Sequence, residues 1–147
     1  MADLSAVNGK LALAPIDGSV RAFLVACEGL ALPTQGPSVV DTLAFLGYAR
    51  RAAPPGPVRE ALDWLVGFAE VRGILHGFPH FPRTSVATMA AIRLLNPTSA
   101  YQGATETCGP TAITIDQCRN RPREWVNTQI ALATHGSARI NTLEMKP

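Results

Sequence analysis

Charge is scarce in this chain. Only 16% of its residues are Asp, Glu, Lys or Arg, and 13 basic against 11 acidic side chains leave a net charge of +2. With no clustered basic run, that balance gives little hold on a phosphate backbone, so nucleic acid is not an expected partner. Aromatic residues are equally thin at 6%, too few to build a base-stacking surface. Long apolar runs are missing too. No stretch reaches the roughly 18 residues a membrane span needs, and the most apolar segment, residues 22–32, is interrupted by Glu28 and Gly29. The opening MADLSAVNGK has an acidic residue and no basic region before an apolar stretch, unlike a Sec-type signal peptide. The expected location is the cytoplasm of the producing cell, with any export into a target cell by a signal-peptide-independent route. Cysteine is limited to Cys27, Cys108 and Cys118, an odd number without a Cys-x-x-Cys pair. That pattern disfavours a disulfide framework and predicts reduced thiols. No metal and no cofactor are expected.

What is present is apolar: 47% of 147 residues, enough for one domain with a real core. The expected fold is mainly α, about six amphipathic helices in one compact domain at 19–147, preceded by an irregular arm at 1–18. A first helix from Ser19 places Val20, Phe23, Leu24 and Cys27 on one face, with Cys27 as a small buried hydrophobe. A second starts at Pro37 or Ser38, with Val39, Leu43 and Leu46 as its inward stripe, widened by Val40 and Ala44. Arg50 and Arg51 lie towards its end, where cations suit the helix dipole. A third runs from about Pro57 to Arg72. It turns Val58, Leu62, Leu65 or Val66, and Ala69 inward, with Trp64 and Phe68 close to that face and an Arg59–Asp63 pair outside.

The loop at 73–82 holds His76, Phe78, His80 and Phe81 between prolines. Pro79 and Pro82 keep it from being helical, so its histidines would not align as in a helical zinc motif, and it is read as packing its phenylalanines. The fourth helix, Thr84 to Leu95, is apolar nearly all round through Val86, Met89, Ala90, Ile92 and Leu95, which predicts a central position. A fifth follows Cys108 with Ala112, Ile113 and Ile115 buried. The sixth, Pro122 to about His135, turns Trp125, Val126, Ile130 and Ala133 inward and ends on Gly136. Residues 138–145 alternate weakly and read as a short strand.

One stretch reads as chemistry: the polar, turn-rich segment from Tyr101 to Ala112, YQGATETCGPTA. Gly109 and Pro110 after Cys108 suit the first turn of a helix, since the N–H that proline lacks would have had no partner there. Cys108 would then stand at a helix N-terminus, where free N–H groups and the positive end of the dipole favour a thiolate. Six residues upstream, the Gln102 amide is suited to donate to an oxyanion.

Gln102, five intervening residues, then Cys108-Gly109 at the head of a helix resembles the nucleophile segment of papain-like cysteine peptidases. The Cys-Gly-Pro-x-Ala form is nearer to bacterial members. The run through Arg121-Pro-Arg-Glu-Trp and His135-Gly-Ser-Ala-Arg-Ile to Leu143-Glu-Met-Lys-Pro147 is similar to cysteine-peptidase-like bacterial effector toxins, such as those delivered by type VI secretion. The likeness covers residues 98–147. It implies acyl transfer through Cys108 as nucleophile, with Gln102 in the oxyanion hole and a histidine as base; His135, 27 residues downstream, is the candidate within this chain. Papain-like folds usually bring that histidine from a later β-sheet, so the chain reads as the N-terminal part of a catalytic domain. Implied partners are a protein or peptide substrate and an immunity or secretion-apparatus protein. The competing reading is a non-catalytic helical protein-interaction domain.

Overall fold

The structure, a computed structural model, describes residues 23, 26, 27, 35–53, 55–95, 97, 108–140 and 143–145. The arm at 1–18, the start of the first expected helix and the loop carrying Gln102 lie outside these residues. Five helices with defined bounds follow in order: α1 (Val39–Ala52), α2 (Pro57–Glu70), α3 (Arg83–Leu95), α4 (Cys108–Asn120) and α5 (Pro122–His135). Two short strands close the described chain, β1 (Ala138–Ile140) and β2 (Leu143–Met145), so the fold is mainly helical, as its periodicity predicts. The expected strand region is an antiparallel hairpin pairing Ala138 with Met145, Arg139 with Glu144 and Ile140 with Leu143.

Local chemistry sets the helix ends. The Ser38 hydroxyl accepts the Asp41 N–H at 3.1 Å and caps α1. Gly56, at φ 130°, turns the chain into Pro57 at the first position of α2. The expected pair within α2, Arg59 with Asp63, does not form, because both side chains reach across to α1. Arg59 donates to the Arg50 carbonyl at 3.1 Å and the Ala53 carbonyl at 2.6 Å, serving carbonyls that the end of α1 leaves without helical partners. Asp63 instead pairs with Arg50. On the other side of α2, Glu60 meets Arg123 of α5 at 2.8 Å.

The core centres on Phe45, Leu46, Leu62, Leu65, Ile92 and Val126, all fully buried. Helices α2 and α3 each pack against α1, α5 and one another, and α3 also touches α4. Phe23 stacks on Phe45 with centroids 5.0 Å apart, and Cys27 is buried in the same core. In α1 and α3 the inward faces differ in part from expectation. In α1 the buried stripe is Thr42, Phe45, Leu46, Tyr48 and Ala49, whereas Val39, Val40 and Ala44 are exposed. The two valines lie in the first turn, ahead of the packed part of the helix. In α3 Ala90 and Ile92 are buried as expected, but the positions at no exposure are the small Ser85, Ala87, Thr88 and Ala91. Val86, Met89 and Leu95 are only half-buried. Small side chains let neighbouring helices approach closely on that side, so α3 is central through these residues together with Ile92 and Leu94, not through Val86, Met89 and Leu95.

The loop between α2 and α3 is fastened to the end of α5. The His76 N–H donates to the Thr134 carbonyl at 3.2 Å and the Gly77 N–H to the Ala133 carbonyl at 3.0 Å. Here the loop supplies donors to carbonyls at the C-terminus of α5. Gly136, left-handed at φ 75°, completes that end by donating to Leu132 at 2.9 Å. A Cβ on Gly77 would fall 1.8 Å from the Leu132 carbonyl oxygen, so only glycine fits. Beyond it, Phe78 and Phe81 tilt together at 5.4 Å between centroids, while the Arg83 guanidinium lies 4.9 Å over the Phe68 ring.

Candidate functional site

Helix α4 begins at Cys108. Gly109 and Pro110 fall in its first turn, so the backbone at the cysteine has the arrangement that the Gly-Pro pair predicts. The first N–H groups of such a helix have no partner within it, and their summed dipole favours an anion. Of Cys108 the backbone alone is described; its side chain, and all of Gln102, lie outside the described residues.

Along α4 the expected inward face is corrected. Ala112 is exposed and so is Ile113, at 59%, while Ile115 is half-buried. The stripe facing the body is Thr114, Ile115, Gln117 and Cys118, at helical spacing one step round from the expected one. Cys118 anchors it, only 1% exposed.

The two core cysteines are chemically quiet. Burial first, and the Asp41 carboxylate second, push the Cys27 thiol up to about 11. Burial pushes Cys118 up to about 12, with the Arg93 guanidinium pulling the other way. Both are free thiols. A thiolate is the reactive form, so neither is suited to nucleophilic work near neutral pH.

A tight junction joins α4 to α5. The Arg121 N–H donates to the Gln117 carbonyl at 2.8 Å, and its own carbonyl accepts from Trp125 at 3.0 Å. Cys108 is the first residue of α4 and His135 the last of α5, so both sit at the ends remote from this shared junction. His135 is exposed beside the clamped loop. The loop histidines are exposed as well, and the loop does pack Phe78 and Phe81, both half-buried. Among the described residues, no group of three or more His, Cys, Asp or Glu side chains is placed to hold a metal ion. No helix among them is long and apolar enough to cross a membrane.

A pocket of about 180 Å³ opens between the loop, α3 and α5, lined by Phe78, Phe81, Val86, Met89, Ala90, Arg93, Trp125 and Gln129. Sequence reasoning assigned several of these to the core and passed over Arg93 and Gln129. The available signal was Arg93 itself, a cation inside a helix otherwise read as apolar all round.

Searches against protein families, curated proteins and solved structures find no match for this chain.

Proposed function

We infer that this chain carries the nucleophile segment of a cysteine acyl-transfer enzyme of the papain-like type, acting on a peptide or amide bond. The observation that carries the reading is the start of α4 at Cys108, since a helix N-terminus stabilises a thiolate without needing a metal or a second thiol. In the mechanism, the Cys108 thiolate adds to the substrate carbonyl carbon and forms a C–S bond. The carbonyl oxygen becomes an oxyanion held by the Gln102 amide and the Cys108 backbone N–H. The C–N bond then breaks as a histidine gives its proton to the leaving nitrogen. Water attacks the thioester, releases the acid and returns the sulfur to thiolate. Within this chain His135 is the candidate base. A deamidase or transglutaminase would share the first half of this sequence and differ in the nucleophile that resolves the thioester. The resemblance in residues 98–147 further suggests a bacterial effector, with a protein substrate and an immunity or secretion partner.

Iodoacetamide labelling at pH 7.5 with mass-spectrometric site assignment tests the reading. Rapid modification confined to Cys108 is the expected result, because Cys27 and Cys118 act as internal buried controls. Equally slow modification of all three would remove the enzymatic reading. It would favour the second one, a helical protein-interaction domain, for which Trp64 in the middle of α2 and Val71 and Ile74 after its end are exposed apolar side chains.

A further inference from the structure

The pocket between α3, α5 and the Phe78–Phe81 loop stands apart from Cys108. Arg93, which lines it, is close enough to Cys118 to act on that thiol, and ten helical residues, about 15 Å, separate Cys118 from Cys108. Its walls are mostly apolar: two phenylalanines, Val86, Met89 and the buried Trp125. Its volume of about 180 Å³ is of the size that accepts a single aromatic ring with a short appendage. Two polar residues line it, Gln129 and Arg93, both half-buried. The acidic side chains of the described ion pairs are Asp63, Glu124 and Glu60, taken by Arg50, Arg121 and Arg123. Among the described residues no carboxylate pairs with Arg93.

An arginine lining a largely apolar pocket, with no carboxylate paired to it among the described residues, selects the charge of its ligand. It presents a planar fork that matches a carboxylate in two parallel hydrogen bonds, and such a bond strengthens where water is partly excluded. One cation balances one negative charge, whereas a phosphate monoester would bring more charge and more acceptors than this lining answers. An apolar body with a single carboxylate fits on both counts. We propose that this pocket binds a small monocarboxylic acid with an aryl-sized apolar body, its carboxylate on Arg93 and its ring between Phe78, Met89 and Trp125. The site is independent of the acyl-transfer reading, and its test leaves Cys108 untouched.

The probe is phenylacetate, compared with its neutral near-isostere phenylacetamide. The chain has two tryptophans, and Trp64 is exposed, so a Trp64→Phe background leaves Trp125 as the fluorescent reporter on the pocket wall. Phenylacetate should change the Trp125 emission saturably and bind at least tenfold more tightly than the amide. Arg93→Gln should erase that preference, while Arg93→Lys, which keeps the charge, should retain a measurable part of it. Thermal melts of both variants establish that each is folded, and ligand-observed NMR supplies a readout that does not depend on tryptophan. Equal binding of acid and amide would overturn the proposal, as would unchanged acid binding by folded Arg93→Gln. An absence of saturable binding by both methods would overturn it as well.

Discussion

The two ends of α4 hold a cysteine in different positions along the helix backbone. At its head, Cys108 belongs to the first turn, where the backbone offers N–H groups and a partial positive charge. Near its foot, Cys118 is pressed against the body, and burial holds its proton so firmly that even Arg93 does not offset the effect. One helix thus holds a cysteine in two backbone positions, a first turn and a packed interior turn, that favour opposite protonation states of a thiol. A count of free thiols therefore says little about reactivity; burial and the backbone around each one say more.

The largest expected effect is on labelling. Near pH 7.5, Cys108 should react with iodoacetamide at least about 100-fold faster than Cys118 or Cys27, since reaction follows thiolate fraction and access. Cys108→Ala should remove the fast phase entirely, as measured by peptide mapping over time. A difference of less than about threefold would erase the contrast between the two ends of the helix.

A remote substitution sharpens it. Gly77→Ala forces a methyl group into the Leu132 carbonyl and should destabilise the fold by about 3 kcal/mol or more. Denaturant titration measures the loss. Because Cys118 and Cys27 can react only when the core opens, their labelling should accelerate on the order of 100-fold in this variant. Labelling of Cys108 should change little. Acceleration of all three alike would mean that Cys108 is also shielded by packing.

Alkali tests the buried pair from another side. The ordinary thiol value is 9.0, and the folded values are about 11 for Cys27 and about 12 for Cys118. Below pH 9 both states keep the proton and the contribution to stability is intact. Between pH 9 and the folded values the unfolded chain loses protons that the folded one retains, so stability falls with rising pH. Thermal melts from pH 8 to 11 should show that decline, and it should be shallower in Cys118→Ala.

The smallest effect concerns a cap away from both sulfurs. Ser38→Ala removes the acceptor for the Asp41 N–H and should cost about 1 kcal/mol in denaturant titration, without altering the labelling ratio.

How much of this was legible from residues alone differed from helix to helix. In α2 the inward set contains Leu62, Leu65 and Ala69, which are apolar and correctly spaced, so periodicity identifies the buried face. In α1 a threonine, Thr42, holds a fully buried position, and reading it as polar shifts the expected stripe towards Val39 and Val40. The same limit operates in α3, where Ser85 and Thr88 are sealed while larger neighbours stay half-exposed. In α4 few side chains are strongly apolar, and Gln117 takes part in the packed stripe, so hydrophobicity alone misplaces Ile113. Pairings across elements, such as Arg50 with Asp63, are absent from local spacing because they depend on how α1 and α2 come together. For the candidate site, Gly109-Pro110 was a local signal and α4 does begin there. Gln102 lies outside the described residues. The Arg93 pocket arises from three separated segments, and spacing within any one of them does not reveal it.

The contact between Gly77 and Gly136 has a mechanical corollary. Phe78 follows directly on a backbone bonded to the tail of α5, and that same helix bears Trp125 and Gln129. Two sides of the cleft are therefore tied together by backbone bonds, and the third, α3, is itself held by α1, α2, α4 and α5. Because every wall is anchored elsewhere in the molecule, the cleft selects a guest by fit to a preformed shape, with Arg93 already in place at its edge.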